Sequence, residues 1–400
     1  MRILVHSYFP VYPFTDGAGL RIFNVTAYLT KRHTCDLIQE RWPWESKRQP
    51  LSPKCSPNWL EEQYRRVWNI SHQSNEKLLY GFIWKSPPLQ ELINKILIEG
   101  EYDVIWSGND TLPLYLSSTQ LVHTPILISP TDSMHLQYKR EISQQLALSR
   151  KVRIVAKWFL YAMYQMRYMN RIQNWTMVAE RDAKDMQHLS PHSNIKVIPN
   201  GVDAYRFFSD TAVHCPHKAV FVGTLGPSTP NEISLTWFLR NVWLKVVKSM
   251  PEATFTIVGR GPSSDLIHLV QQMKNVTITG FVADTAPYFW QAGISVLPMR
   301  SGAGIKNKLL ESWASGCAVV TTSLGIEGVN QANNNENVLI ANEPDHMAES
   351  LINLLNNPVK QRELGELGQL TVRTWYSWDS IATQIESELT SLVDKRKHKE

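Results

Sequence analysis

Short apolar runs alternate with amphipathic stretches along most of the chain. Arg2 to Ser7 reads as a buried strand, and Asp36 to Gln39, Asp103 to Trp106, Pro125 to Ile128 and Trp175 to Ala179 repeat the pattern. Between them, Ile22, Val25 and Leu29 mark one face of a helix, and Leu89 to Glu99 is amphipathic at helical spacing. Leu112 to Ser118, Glu180 to Met186 and, more weakly, Leu60 to Trp68 predict shorter helices. The second half repeats the rhythm. Strands are expected at Ala219 to Val222, Thr254 to Val258, Val276 to Thr279, Ile294 to Leu297 and Cys317 to Thr321. A helix is expected at Asn231 to Met250, and a helical tail over His346 to Lys395. Such alternation predicts an α/β protein with doubly wound parallel sheets.

Two stretches resist a single reading. Arg41 to Trp84 is rich in Trp, Pro and basic residues and reads either as a surface excursion or as an acceptor-shaping insertion. Tyr138 to Asn174 predicts one or two long helices with an apolar stripe of Val152, Val155, Phe159, Met163 and Met166. Arg150, Lys151, Arg153, Lys157, Arg167 and Arg171 add charge, with Trp158, Tyr161, Tyr164 and Tyr168 interleaved. The preferred reading packs the stripe on the sheet; the alternative lays it on a membrane surface.

Length and composition narrow the class. Four hundred residues exceed what one core usually organises, so two domains are expected, with a polar linker near Val202 to Lys218. Asn200-Gly201 reads as a tight turn that uses a positive φ at the glycine. A net charge of +5 is too small to argue for nucleic acid, and suits an anionic substrate or a loose membrane contact. No apolar run is long enough to span a bilayer, and Met1 to Pro10 is too short for a signal peptide. Cys35, Cys55, Cys215 and Cys317 are scattered without metal spacing. A cytoplasmic protein with free thiols is expected, with the inner membrane face as an open alternative.

The densest chemistry lies between Leu297 and Gly328. A strand there leads into a corner at Ser301 to Gly304, then a helix with Ile305, Leu309, Leu310 and Trp313 on one face, then Gly316 and a second strand. This order aims a helix N-terminus at the carboxyl edge of a sheet, where anions bind. Arg300, Lys306 and Lys308 crowd the positive end of that helix, which an outside diphosphate would compensate. Glu311 follows Lys308 by one turn, so a phosphate cation stands beside a carboxylate suited to sugar hydroxyls. The plainer alternative is a pair of solvated lysines with Glu311 paired to Lys308.

This segment resembles the donor site of family-4 glycosyltransferases with the GT-B fold, in the branch reading G-x-G-x-K-N-K-x-x-E. Val197 to Asp203 is similar to that family's interdomain strand and turn, and Val220 to Gly226 with Pro230-Asn231 to its first donor-domain loop. The resemblance implies two Rossmann-like domains facing across a cleft. Residues 1–201 would bind the acceptor, 202–375 the donor, and 376–400 would form a helix crossing back. It implies a retaining, metal-independent transfer from a nucleoside diphosphate sugar, UDP before GDP, to a hydroxyl acceptor. That acceptor could be a saccharide, a lipid-linked molecule or a small molecule. No cofactor is implied, and no D-x-D motif suggests a metal.

Carried over by motif, Lys308 and Arg300 would face the leaving diphosphate. Gly223, Thr224, Gly259, Arg260, Gly280, Phe281 and Val282 would line the donor, with Gly302, Ala303, Gly304, Ile305, Lys306 and Glu311. Gly17, Ala18 and Gly19 resemble the loop after the first strand, under the donor phosphates and beside the acceptor. Asp132 and His135 follow a strand end, where they would orient the acceptor or handle its proton; a plain capping role is the alternative for each. Two departures stand out. Thr224 replaces a usual arginine, and Ala303 replaces a first glutamate eight residues before Glu311. They leave room for two other readings: a nucleotide-sugar 2-epimerase of the same architecture, or a binding protein without turnover.

Overall fold

The structure, a computed structural model, describes the chain except residues 13–16, 42–57, 73–77, 80–82, 85, 100–101, 117–123, 143–147, 302–304 and 399–400. Gly302, Ala303, Gly304 and most of the Arg41 to Trp84 stretch therefore lie outside the described residues. The chain divides into two compact units, Met1–Asn200 with Ile381–Glu400, and Gly201–Ser380.

The first unit is built on seven strands: β1 (Arg2–Ser7), β2 (Thr34–Arg41), β3 (Arg66–Ser71), β4 (Val104–Ser107), β5 (Ile126–Ile128), β6 (Asn174–Met177) and β7 (Asn194–Val197). They are all parallel, in the order β3-β2-β1-β4-β5-β6-β7. The middle strands read as continuous apolar runs because helices cover both faces. Leu4, Ile38, Ile105, Ile128 and Trp175 share one core. The weak helix expected over Leu60 to Trp68 is corrected. Only Trp59–Gln63 is helical, and β3 starts at Arg66, where Val67 and Ile70 suit a strand pairing with β2. Likewise, Leu112–Tyr115 is a single 3-10 turn, with Pro113 near its start.

The long helical stretch resolves into Met134–Ile142 and Leu148–Tyr168. The preferred packing of its stripe is also corrected. Val152, Val155, Phe159, Met163 and Met166 are exposed, whereas Ile154, Tyr161, Tyr164 and Gln165 are buried. Tyr161 donates to the Asp110 carboxylate, and Tyr164 to the Asp110 carbonyl at 2.6 Å. The helix therefore rests on the sheet through its tyrosines.

The second unit repeats the plan with β8 (Cys215–Val222), β9 (Thr254–Val258), β10 (Val276–Ile278), β11 (Ala292–Leu297), β12 (Ala318–Thr321) and β13 (Leu339–Ile340). Its order is β10-β9-β8-β11-β12-β13, again parallel. Phe221, Ile257, Ile294, Val296, Leu309, Leu310 and Trp313 pack in one core. Gly316, at φ +79°, stops the helix before β12. Gly201 needs glycine for a different reason from the one expected. Its φ is not left-handed, but an added Cβ would lie 2.6 Å from the Trp378 ring. The expected linker is structured too: Ala204–Phe207 forms one helical turn, capped by Asp203, and β8 already begins at Cys215.

Candidate active site

In the second sheet the strand order reverses between β8 and β11, and ligands of such sheets bind outside the carboxyl ends at that reversal. β8 runs into Gly223, whose N–H donates to the Val258 carbonyl at 2.9 Å. Gly259 follows β9, and a Cβ there would lie 1.9 Å from the Gly223 carbonyl oxygen. Both partners are backbone, so nothing flexible can yield. Gly259→Ala is expected to destabilise the unit by about 1–3 kcal/mol, read as a fall in thermal midpoint. An unchanged midpoint would mean that the two loops separate freely.

Lys308 lies in the first turn of the Asn307–Ala314 helix and reaches back to the end of β8. Its ammonium donates to Asn231 Oδ1 and stands 4.7 Å from the centre of the Phe221 ring. Asn231 is fixed in turn by donating to the Thr224 carbonyl at 2.7 Å. A Cβ on Gly223 would come within 3.2 Å of the Lys308 ammonium and 2.9 Å of the Asn231 amide, so glycine leaves the space that lets them meet. Burial lowers the Lys308 pKa to about 7; the Lys306 cation adds to the fall and Glu311 opposes it. Lys306 itself is buried at the N-cap.

Glu311 is one turn further on. Burial raises its pKa, against the opposing pull of Arg206 and Lys308. Among the described residues, no side chain or N–H donates to its carboxylate. A cation shifted toward neutrality and a carboxylate whose ionisation burial opposes thus lie on one helix, at the reversal of the sheet.

The other expected donor residues are placed as follows. Arg300 lays its guanidinium 4.6 Å from the centre of the Trp237 ring and donates to the Asn342 carbonyl at 3.3 Å, while its N–H bonds Ser234. Thr224 is exposed beside Asn231, and the Arg260 carbonyl accepts from Leu225 N–H at 2.9 Å. Gly280 turns at φ +72°, leaving Phe281 61% exposed and Val282 packed on the core. Ile305 also leans on that core.

Two residues of this unit escaped the sequence reading. Arg206, in the presumed linker, donates to Asp284 at 3.0 Å and faces Glu311 electrostatically. Glu232 is buried and accepts from both Gly226 and Ser263 N–H groups at 3.1 Å, clamping the loops after β8 and β9. The Thr229-x-x-Glu232 spacing of a capping box was the available signal, although the glutamate here turns away to the loops.

In the first unit the reversal falls between β1 and β4, and a polar network crosses it. His6 Nε2 lies 3.0 Å from Glu40 Oε1, and His72 Nε2 lies 2.7 Å from Glu40 Oε2. His6 Nδ1 is 2.9 Å from Ser107 Oγ. All four are buried. Nothing in the sequence spacing announces this group, which in-register parallel pairing assembles at the carboxyl edge.

His135 is buried in the first turn of the Met134–Ile142 helix, with Nδ1 3.0 Å from the Asp185 carboxylate and its ring tilted over Trp158. Burial opposes ionisation of Asp185, but hydrogen bonds with His135 and Ser133 hold its pKa low. Ser133, not Asp132, caps that helix by accepting from Leu136 N–H; Asp132 is exposed. Gly17, Ala18 and Gly19 form the first turn of the Gly17–Leu29 helix, and a Cβ on Gly17 would meet nothing within 4 Å. That helix is tied down by buried Arg21, which donates to the carbonyls of Ile198 and Pro199 and to Asn200 Oδ1.

Two parallel sheets, each reversed about its first strand, form the two Rossmann-like units of a GT-B fold. Residues 15–206 match the family described as Glycosyltransferase Family 4, and residues 216–357 the one described as Glycosyl transferases group 1. Together the two models cover most of the chain, which is a glycosyltransferase. It is 23% identical over 383 residues to an uncharacterized 44.6 kDa protein in the cps region of Klebsiella pneumoniae, covering 91% of this chain and 93% of that one. A glycosyltransferase from Rickettsia africae has the same fold at TM-score 0.66 and 14% identity, with 98% of each chain covered. Anabaena Alr3699/HepE, solved in complex with UDP, matches at TM-score 0.59 and 13% identity, over 98% of this chain and 100% of that one.

Proposed function

We propose that this glycosyltransferase moves a sugar from a nucleoside diphosphate donor to a hydroxyl acceptor, with retention at the anomeric carbon and without a metal. One observation carries the reading: the Lys308 ammonium, held between Asn231 and Phe221 at the sheet reversal, one turn from the Glu311 carboxylate, whose pKa burial raises. The barrier is departure of an anionic diphosphate, and a preorganised cation in a dry site acts on that developing charge. Lys308 takes the diphosphate and Glu311 accepts from the ribose hydroxyls. Lys306 and the helix N-terminus supply the rest of the charge, as in the G-x-G-x-K-N-K-x-x-E branch. UDP is the first nucleotide to test, since Alr3699/HepE was solved with it; GDP is the second. His135, fixed by Asp185, serves the acceptor side.

The test is thermal stabilisation of wild type and Glu311→Ala by UDP and GDP, with and without magnesium. At about one hundred times its dissociation constant, a bound nucleotide adds about 2.7 kcal/mol. One nucleotide is expected to stabilise the wild type equally with and without magnesium. Glu311→Ala is expected to weaken it by about tenfold or more, the loss of hydrogen bonds to a charged acceptor. Stabilisation by neither nucleotide, or by a magnesium complex alone, would overturn the reading.

A further inference from the structure

From the Leu148–Tyr168 helix we infer that the first unit docks on an anionic lipid surface through one helical face. Six apolar residues recur at spacings of three and four: Leu148, Val152, Val155, Phe159, Met163 and Met166. Each is exposed, from 41% at Val155 to 78% at Leu148. At 3.6 residues per turn they fall within about 80° of one another, a single unbroken stripe. A folded chain rarely leaves so continuous an apolar strip to water without a partner.

The helix is not free to roll the stripe inward. Its opposite side is occupied by Ile154, Tyr161, Tyr164 and Gln165, and the two tyrosines are bound to Asp110. The stripe is thus held outward by the fold.

Charge selects the occupant. The helix carries Arg150, Lys151, Arg153, Lys157 and Arg167 and has no acidic residue. By helical angle, Lys151 borders the stripe on one side, and Arg167 and Arg153 on the other. Apolar side chains flanked by cations match the interface of an anionic bilayer, where the stripe enters the acyl boundary and the cations meet phosphates. A second copy of the same face fits poorly, since it would set two sets of cations against each other without a counter-charge. No helix among the described residues is long and apolar enough to cross a membrane, so the contact is peripheral. The inference does not rest on the donor-site reading.

The full chain is mixed with phosphatidylcholine vesicles, with and without phosphatidylglycerol, and sedimented at low and high salt. Wild type is expected to pellet with the anionic vesicles only, and less at high salt. Phe159→Asp with Met163→Asp, and separately Lys151→Glu with Arg153→Glu, are expected to weaken vesicle binding on the order of tenfold or more. Because these side chains are exposed, both variants should keep the wild-type thermal midpoint and nucleotide response. Failure to pellet with anionic vesicles, or wild-type pelleting by both variants, overturns the inference. So does a dimer in solution that Phe159→Asp with Met163→Asp converts to monomer, because a second copy then covers the stripe.

Discussion

Lys308→Met is expected to lower kcat for glycosyl transfer by about 10²–10³, with a smaller effect on KM for the acceptor. The magnitude is that of removing one preorganised charge stabiliser from a water-excluded site. Methionine keeps much of the length and the contact with Phe221, so the loss reports charge and not packing. The fold disfavours the ammonium: burial lowers Lys308 from 10.5 to about 7. The ligand-free protein therefore binds fewer protons than the unfolded chain between pH 7 and 10.5. Its stability at this group rises with pH through that window and is flat below it. Removing the ammonium should therefore raise the thermal midpoint of the ligand-free protein at pH 7, where nearly the whole cost of burying the charge is present.

A bound diphosphate reverses the preference and restores the ordinary pKa. Nucleotide binding between pH 7 and 9 should then take up a proton, and affinity should fall by up to about tenfold per pH unit across that range. Calorimetry in buffers of different ionisation enthalpy measures the uptake, and Lys308→Met should abolish it. A variant with kcat within about threefold of wild type, or binding without proton uptake, would remove Lys308 from the leaving group.

The grouping of cations and carboxylate in the second unit was legible because its parts are close in sequence. Lys306, Lys308 and Glu311 lie within the first two turns of one helix, and Leu309, Leu310 and Trp313 fix which side faces the core. Parallel strands were legible for a similar reason, since strands buried on both faces are short unbroken apolar runs. What failed was whatever tertiary pairing decides. Arg206 reads as linker until its helical turn packs beside the Asn307–Ala314 helix. The Leu148–Tyr168 helix has two plausible faces, one aliphatic and one of tyrosines. Periodicity cannot choose between them, because the choice depends on Asp110, which lies far away in sequence and accepts the Tyr161 hydroxyl. Burial raises the Asp110 pKa and the Tyr161 hydrogen bond opposes that rise, so the hydroxyl partner matters to this carboxylate.

The same reasoning applies to Glu40, whose replacement carries the largest expected loss of stability. Each of its carboxylate oxygens meets a different imidazole, His6 at 3.0 Å and His72 at 2.7 Å, and the side chains are essentially inaccessible to water. Glu40→Ala leaves two buried N–H groups without their acceptor and opens a cavity beside β1. Breaking a buried charged group from its partners costs about 3–5 kcal/mol, a large share of the 5–15 kcal/mol that holds a typical domain. Glu40→Gln should cost less, because its amide oxygen still serves one imidazole while the other ring changes tautomer to accept from the amide nitrogen. The loss should be local first. Amide exchange in β1, β2 and β3 is expected to accelerate together in Glu40→Ala, while β8 and β11 keep their protection. Unfolding of the first unit within about 1 kcal/mol of wild type would show that the two histidines find other acceptors. The contrast between the two variants separates a structural clamp from a ligand group. If Glu40→Gln keeps near-native protection yet loses transfer activity, the network at the β1–β4 reversal serves the acceptor as well as the sheet.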